Sequence, residues 1–253
     1  MSFEKKIIFE NETPFTIFKI ENFLNDDLYE NLRLNFPEIP KNDITDYKNL
    51  KYGFSNGSVH YKRILRENIY FRKFHNLVYS RNFFNFFYKK LFSKILKARR
   101  DSLINFVKLL RPPLFLDEST KDLSPFKEYF FNKVKIGVSL SYIKNGGFIV
   151  PHVDGIGKLL SLMIYFPDTN LQKEKTLGTS FYNYKFKNFN NSHLQDDDLL
   201  KFNEEAKLIY KSKFEKNNLY GFIKNNLSWH TVDKIQFGDK NYWRKSININ
   251  FYF

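Results

Sequence analysis

The chain has 253 residues, a formal net charge of +14, 42% hydrophobic residues and no cysteine. A chain of this length can bury a substantial core as one large domain or as a domain with an elaborated edge. Without cysteine it has neither disulfides nor thiolate ligands, so any metal site must use imidazole and carboxylate groups. No window of about 20 residues is free of charge, which excludes a transmembrane helix. The first residues lack the apolar segment of a secretory signal. We therefore expect a cytoplasmic protein without a membrane partner.

The positive charge is concentrated in one region. Between Lys62 and Arg111 there are fourteen Lys and Arg against only Glu67 and Asp101, whereas the rest of the chain is nearly balanced. A cationic face can attract an anionic partner. However, Lys greatly outnumbers Arg throughout the chain, and no recognised nucleic-acid-binding motif is present. We therefore expect a solvated helical face of a lysine-biased protein and no nucleic-acid partner.

The first half of the chain predicts extended segments followed by helices. Residues 7–10 and 15–20 are extended runs, and Asn25 or Asp26 is the expected N-cap of a helix that ends before Pro37. From about 62 to 110, apolar residues recur at helical spacing among Lys and Arg. We expect this stretch to cover the outer face of a sheet. Its contacts would be made by Phe83, Phe84, Phe87, Leu91 and Ile95 against Ile247, Ile249 and Phe251.

From about residue 133 the pattern changes to short strands separated by turns. Residues 195–216 interrupt this pattern and are predicted to be a polar excursion that contains a helix and no barrel strand. Many short strands with turns are typical of an antiparallel sandwich or barrel, here preceded by helices. The strands are predicted over residues 134–143, 159–166, 179–184, 219–223, 228–232 and 246–253.

The last predicted strand alternates in polarity, which assigns its two faces. The pattern predicts that the polar face lines a pocket and that the apolar face meets the helical layer. It also favours Arg244 over Lys245 as the pocket-facing cation. A strand with one solvated outer face would show the same alternation. The polar positions are Arg244, Ser246, Asn248, Asn250 and Tyr252, and the opposite face carries Lys245, Ile247, Ile249, Phe251 and Phe253.

Two histidines and an aspartate form a candidate metal site. His152 and Asp154 are two residues apart, so in an extended segment their side chains point the same way, and the fold must bring His230 to them. Two imidazoles and one carboxylate on one face of a metal are typical of non-haem Fe(II) enzymes that activate O₂. We expect the three ligand atoms to lie about 3–4 Å apart, because metal–ligand bonds are roughly 2 Å long. A nearby cation, Arg244, could hold a dicarboxylate next to the metal.

With these residues in place, the chain resembles the Fe(II)/2-oxoglutarate-dependent dioxygenases, in particular the prolyl-4-hydroxylase-like group. The resemblance implies an α+β protein built on a double-stranded β-helix (a jelly roll, or cupin-like barrel) with N-terminal helices packed on its outer face. Residues 1–132 would form an N-terminal strand and helical layer, and residues 133–253 the catalytic core, as one integrated domain. The matching segments are residues 142–154, 160–166, 177–181, 228–232 and 244–246, and residues 14–37 resemble the leader of many bacterial and viral members.

The resemblance also implies roles for individual residues. The iron ligands and catalytic centre would be His152, Asp154 and His230. The cosubstrate 2-oxoglutarate would be bound by Arg244 and Ser246 at its distal carboxylate, with Tyr142 as a second contact. The implied cofactors are Fe(II), 2-oxoglutarate and O₂, and the implied reaction is hydroxylation with release of succinate and CO₂.

Two departures place the chain in the wider group and not among the prolyl hydroxylases themselves. Those enzymes have Lys where Arg244 stands. In addition, the loop 233–242 makes the number of residues between His230 and Arg244 larger than usual. Asp154 is retained, whereas the related halogenases have a small residue at that position. Hydroxylation is therefore the favoured reaction.

Other function classes remain open at this stage. A non-redox cupin-type isomerase or ligand-binding protein would use the same metal residues, with Arg244 binding its ligand. A nucleic-acid-binding module would use residues 62–111 and would show steep salt dependence. The identity of the substrate does not follow from fold analogy. It could be a small molecule or a peptidyl residue, and it could be anionic.

Overall fold

The structure is a computed structural model, and it describes residues 5–39, 50–99, 109–116, 132–168, 177–186, 194, 196–239 and 241–253. The strands in this part of the chain are β1 (Ile8–Asn11), β2 (Ile17–Ile20), β3 (Lys51–Ser55), β4 (Pro113–Leu116), β5 (Asn132–Lys144), β6 (Ile149–His152), β7 (Lys158–Tyr165), β8 (Ser180–Asn183), β9 (Lys207–Lys211), β10 (Leu219–Ile223), β11 (Trp229–Val232) and β12 (Trp243–Tyr252). The helices are α1 (Asp26–Leu34), α2 (Val59–Glu67), α3 (Ile69–Val78), α4 (Arg81–Ala98) and α5 (Asp196–Glu205).

The strands form two sheets, both mainly antiparallel. The larger sheet has the order β1-β2-β10-β7-β12-β5-β3, and β4 pairs with β5 in parallel. The smaller sheet has the order β6-β11-β8-β9. The fold class is therefore α+β with an antiparallel core, as expected. The described strands form two open sheets and do not close into a single barrel.

The two sheets face each other through a shared apolar cluster. Phe181 of β8 packs edge to face against Phe222 of β10, with ring centroids 5.3 Å apart. Phe222 also lies 4.7 Å from the ring of His230 on β11. These contacts bury the inner face of the smaller sheet against β10 and β7 and leave a cavity beside them.

The opposite face of the larger sheet is covered by helices, as the alternation along the last strand predicts. Phe251 of β12 is buried, and its ring lies 6.1–6.3 Å from the rings of Phe83, Phe84 and Phe87 on α4. Complete burial of one such ring stabilises a fold by about 1.5–3 kcal/mol. The predicted packing is therefore confirmed for Phe83, Phe84 and Phe87 against Phe251. No helix in the described part of the chain is long and apolar enough to cross a membrane.

The described residues of the basic stretch, up to Arg99, form three helices instead of one continuous helix, because capping side chains start a new helix twice. The Asn68 side chain accepts hydrogen bonds from two backbone N–H groups at the start of α3, and Ser80 accepts one at the start of α4. A cap of this kind contributes about 1 kcal/mol. Asn25 caps α1, in agreement with the sequence. The predicted helical residues 100–108 lie outside the described residues.

The lysines of α4 lie away from the cavity between the sheets. Lys89, Lys90 and Lys97 are exposed. Lys94 pairs with Glu12 and lies over the ring of Phe9. Their position agrees with a solvated helical face.

The prediction for residues 195–216 is wrong in one respect. The expected helix is present as α5, but Lys207–Lys211 then forms β9, which pairs with β8 at the edge of the smaller sheet. Lysines at both ends of this short strand concealed it, although charged residues are common on edge strands. The strand β3 was also not predicted.

Candidate metal centre and adjoining cavity

Three side chains predicted to bind a metal converge between the sheets. His152 at the end of β6 lies directly opposite His230 on β11, with ring centroids 4.2 Å apart. Asp154 follows β6 and faces the same side, while the intervening Val153 is buried in a cluster on the other side. One ligand atom from each of the three lies within 4.8 Å of the other two, and Asp154 Oδ2 is 3.9 Å from His230 Nε2. The spacing is slightly wider than the 3–4 Å expected.

Both imidazole rings are oriented by backbone carbonyl groups. Nδ1 of His152 is 2.9 Å from the Val150 oxygen, and Nδ1 of His230 is 3.0 Å from the Ser228 oxygen. Because a carbonyl oxygen only accepts, each Nδ1 carries the proton and Nε2 keeps its lone pair for a metal. Burial lowers the pKa of His230, and the negative charge of Asp154 raises it by a smaller amount. The ring therefore favours its neutral, metal-binding form.

The Asp154 carboxylate is held in its ionised form by its neighbours. Burial opposes ionisation, but His230, Lys158 and His152 outweigh it and hold the pKa of this carboxyl below its usual range. Lys158 Nζ lies 2.7 Å from Oδ1, and the Ser161 hydroxyl donates to Oδ2 at 3.2 Å. Lys158 therefore holds one oxygen while the other faces His230.

The donor set fits a divalent first-row metal such as iron. Two neutral imidazole nitrogens and one carboxylate form the facial arrangement of non-haem Fe(II) sites, in which the remaining coordination positions stay open. Here those positions face a cavity of about 220 Å³. Within the described ranges, it is the one group of three or more such side chains that could hold a metal ion.

A buried arginine lies in the same cavity. Arg244 on β12 is 3% exposed, and its Nε donates to the Leu177 carbonyl. Its guanidinium lies over the rings of Tyr165 and Phe214, 4.9 and 5.3 Å from their centroids. Burial lowers its pKa, but an arginine keeps its charge in proteins. No acidic side chain in the described part of the chain pairs with it, so its charge is open to an anion in the cavity.

Three further polar residues of β12 also face the cavity, as the alternation predicts, whereas Tyr252, which was predicted on the same face, does not line it. Ser246, Asn248 and Asn250 line it together with Arg244. Ser246 is almost fully buried and is directly opposite Ser141 on β5. The preference for Arg244 over Lys245 agrees with the structure, because Lys245 pairs with Asp168 outside the cavity.

Tyr142 does not line this cavity, which argues against its predicted role as a cosubstrate contact. On β5 it lies opposite Lys245, and opposed residues in an antiparallel pair share a face. Its hydroxyl donates to the Pro37 carbonyl at 2.7 Å, and its ring packs against Phe36 in the core beneath the helices. Its strand neighbours Ser139 and Ser141 line the cavity instead. A shift of one residue along a strand changes the face.

Several cavity residues were not identified from the sequence. Lys158 and Ser161 both contact Asp154. For Lys158 the one sequence signal of this contact was its position four residues after Asp154. Tyr165, which lies under Arg244, was predicted only as part of a strand. Lys51 lines the cavity from β3, a strand that the sequence did not predict.

Comparison with known proteins gives similarities in structure. No protein-family model matches the chain, and no curated protein matches it. A prolyl-4-hydroxylase of Pseudomonas putida is 10% identical over 94% of this chain and 93% of that one, with a TM-score of 0.41. HygX from Streptomyces hygroscopicus, solved with nickel and 2-oxoglutarate, is 9% identical over 93% and 82%, with a TM-score of 0.45.

A third similar structure is a prolyl hydroxylase from Trichoplax adhaerens in complex with a peptide fragment of the hypoxia inducible factor oxygen degradation domain. It is 12% identical over 93% of this chain and 83% of that one, with a TM-score of 0.44. These similar structures are prolyl hydroxylases and a protein solved with 2-oxoglutarate.

Proposed function

We propose that this protein is an Fe(II)- and 2-oxoglutarate-dependent dioxygenase that hydroxylates its substrate and releases succinate and CO₂. The observation that carries the proposal is the presence of two complementary features in one cavity. His152, Asp154 and His230 supply a facial metal site, and Arg244 supplies a buried cation without an acidic partner among the described residues. A ligand that chelates a metal at one end and carries a carboxylate at the other satisfies both.

Each cavity residue has a defined task in this proposal. His152, Asp154 and His230 hold the metal, which when bound supplies O₂ activation coupled to decarboxylation of 2-oxoglutarate. Arg244 binds the distal carboxylate through its planar guanidinium, and the Ser246 hydroxyl donates to the same group. Burial of this end of the cavity excludes water and strengthens the charged contact.

The aromatic rings below Arg244 keep its guanidinium in place. Tyr165 and Phe214 lie on the guanidinium, and the hydroxyl of Tyr165 is in turn held by Thr179 and Ser212 at 3.0 and 2.7 Å. The Leu177 carbonyl holds Nε. Because the arginine is fixed before the cosubstrate binds, little side-chain entropy is lost on binding.

The proposal includes a double-stranded β-helix for the catalytic core. Two facing antiparallel sheets with the metal residues on one and Arg244 on the other support it. Residues 133–253 would carry the metal and cosubstrate ligands, and residues 1–132 would support them. Because β1, β2 and β3 join the larger sheet, one integrated domain is the simplest division. We also propose a cytoplasmic location, since folding requires no disulfide.

The direct test is conversion of 2-oxoglutarate to succinate by the purified protein with Fe(II) in air. The proposal predicts that succinate appears as 2-oxoglutarate is consumed, and that His152→Ala and Asp154→Ala each abolish the reaction. A wild-type protein that binds Fe(II) without consuming 2-oxoglutarate would contradict the proposal. That result would favour the cupin-type alternative, in which the metal site has no redox role.

A further inference from the structure

We infer that the substrate carries an anionic group, a carboxylate or a phosphate, and that Lys51 binds this group at the open side of the cavity. The inference rests on the proposed function and extends it from the cosubstrate to the class of substrate. It depends on three observations: the position of Lys51, the charge of the cavity, and the polarity of the surface between Lys51 and the metal residues.

Lys51 reaches the cavity from the edge of the larger sheet. It is the first residue of β3 and lies opposite Ile143 of β5, which in turn lies opposite Arg244 of β12. Opposed residues share a face, so Lys51 and Arg244 are on the same side of the sheet. Lys51 lines the cavity and is also solvent-exposed, because β3 is an edge strand. It is therefore placed where a substrate would enter.

The ammonium group of Lys51 lies close to other cations. The residue as a whole is exposed, but protein atoms surround its ammonium group. This burial, followed by the charges of Lys158 and Arg244, lowers the pKa of Lys51, and only the charge of Asp154 raises it. Asp154 is already paired with Lys158 at 2.7 Å. In the part of the chain that the structure describes, Lys51 thus has no acid of its own. An anion from solution would relieve this repulsion.

The cavity remains positive when its proposed ligands are counted. The two charges of Fe(II) offset those of dianionic 2-oxoglutarate, and the charge of Asp154 offsets that of Lys158. The histidines add no charge in this count, because each would bind the metal as a neutral ring through Nε2. The sum over the described cavity residues and the two ligands is positive, and with Arg244 paired to 2-oxoglutarate it is Lys51 that has no counter-charge. A positive cavity with partly apolar walls attracts anions and disfavours cations.

The surface between Lys51 and the metal residues is built for a polar molecule. Four short polar side chains on the adjacent strands β5 and β12 line it, and their register places Ser139 opposite Asn248. Hydroxyl and amide groups of this kind would lose hydrogen bonds to water if an apolar substrate covered them. A polar substrate replaces those bonds and gains orientation from them. The four residues are Ser139, Ser141, Asn248 and Asn250.

The test uses three methyl-bearing probes of similar size and different charge: methylphosphonate, acetate and acetamide. The protein is loaded with Mn(II) and 2-oxoglutarate, and the paramagnetic relaxation of each probe's methyl protons is measured as the probe is titrated. Lys51→Met removes the charge and keeps the length of the side chain, and Lys51→Arg keeps the charge. Lys89→Met is the matched control, because Lys89 is exposed on α4 outside the cavity.

The inference predicts that at least one anionic probe binds near the metal at least tenfold more tightly than acetamide. Lys51→Met should remove that difference, whereas Lys51→Arg and Lys89→Met should keep it. Tighter binding of methylphosphonate indicates a phosphorylated substrate, and tighter binding of acetate indicates a carboxylate. Equal binding of all three probes, or anion binding that Lys51→Met leaves unchanged, overturns the inference.

The cosubstrate provides a second readout that separates this inference from the proposed function. Lys51→Met should change the 2-oxoglutarate affinity less than threefold. A loss as large as that of Arg244→Ala would make Lys51 a cosubstrate ligand and overturn the inference. If the wild-type protein neither binds nor consumes 2-oxoglutarate, the proposed function fails, whatever the probes show.

Discussion

At the scale of single residues, two neighbouring positions on opposed strands have opposite roles. Ser246 faces the cavity and pairs with Ser141 of β5. The next residue of β5, Tyr142, faces the helical layer. Both carry a hydroxyl group that could bind a carboxylate in a sequence-based comparison. The strand pairing, and not the residue type, decides which of them can do so.

A pair of hydroxyl deletions tests this assignment. Ser246→Ala should lower the affinity for 2-oxoglutarate about tenfold or more, since a hydrogen bond to a charged group contributes about 1.5–3 kcal/mol. Tyr142→Phe should leave that affinity unchanged and lower the free energy of unfolding by about 0.5–1.5 kcal/mol, because only the bond to Pro37 is lost. Isothermal titration and urea unfolding measure the two effects. The opposite ranking of the two cosubstrate affinities would show that the face assignment is wrong.

Lys224 is a buried cation behind the metal residues, and it makes stability depend on pH. It is fully buried, and burial and the nearby Arg99 lower its pKa to about 8. In the unfolded chain it titrates at about 10.4. Between these values the unfolded state holds the extra proton, so stability rises with pH in this range. Below pH 8 both states are protonated and the penalty is constant.

Lys224→Met should therefore stabilise the protein most at pH 7, by about 1–3 kcal/mol from the size of this shift. The gain should shrink as the pH is raised from 8 to 10. Urea unfolding of the wild type and the variant over this range gives the difference directly, with Lys89→Met as an exposed control. A gain that stays constant or grows with pH would contradict a depressed lysine pKa.

At the scale of elements, α4 packs across two strands of the larger sheet, β2 and β12. Phe87 is fully buried and contacts Phe18, Phe23, Phe83 and Phe251, so it joins the helix to β2 and β12. This environment accounts for the many aromatic residues of α4. The aromatic face packs on the sheet, and the lysines point to solvent.

Phe87→Ala should lower the free energy of unfolding by about 3–5 kcal/mol, the usual cost of removing a buried phenylalanine. Lys89→Met on the same helix should change it by less than about 0.5 kcal/mol. Metal binding by the folded fraction of Phe87→Ala should be retained, because the helix contacts the sheet face opposite the cavity. Thermal unfolding with and without Mn(II) tests both expectations. A small loss of stability would show that α4 is not an anchor.

The elements differ in how far the sequence predicted them. The alternation in β12 identified both of its faces because one face is polar and the other aliphatic or aromatic. The capping role of Asn25 was also visible, since it directly precedes an amphipathic stretch. By contrast, β3 and β9 are short edge strands that each begin with a lysine, and their stability comes from pairing with β5 and β8. Local sequence carries little trace of such contacts.

At the scale of the whole molecule, the metal residues were predictable and much of the cavity was not. His152, Asp154 and His230 belong to a residue pattern that few structures other than metal sites require. Lys51 and Lys158 are two among many lysines. The four-residue separation from Asp154 was the one signal for Lys158, and there was none for Lys51. Only the register of β3 with β5 and the turn before β7 bring their charges to the cavity.

The cavity lies between the two sheets, and this position suggests the most direct test of the proposal that it binds 2-oxoglutarate. The metal residues come from the smaller sheet and the turn that follows β6, and Arg244 comes from the larger sheet. One small molecule, 2-oxoglutarate, is proposed to bind to both. Its affinity therefore reports on the metal and on the arginine at the same time.

The measurement is an anaerobic calorimetric titration of 2-oxoglutarate into wild-type protein, Arg244→Ala and the control Lys245→Ala, each with and without Fe(II). The wild type and the control should bind 2-oxoglutarate only when Fe(II) is present. Arg244→Ala should bind Fe(II) normally and lose cosubstrate affinity by roughly 2–5 kcal/mol, the cost of removing one partner of a buried charged pair. Metal-independent binding, or a loss smaller than about tenfold for Arg244→Ala, would contradict the assignment of this cavity to 2-oxoglutarate.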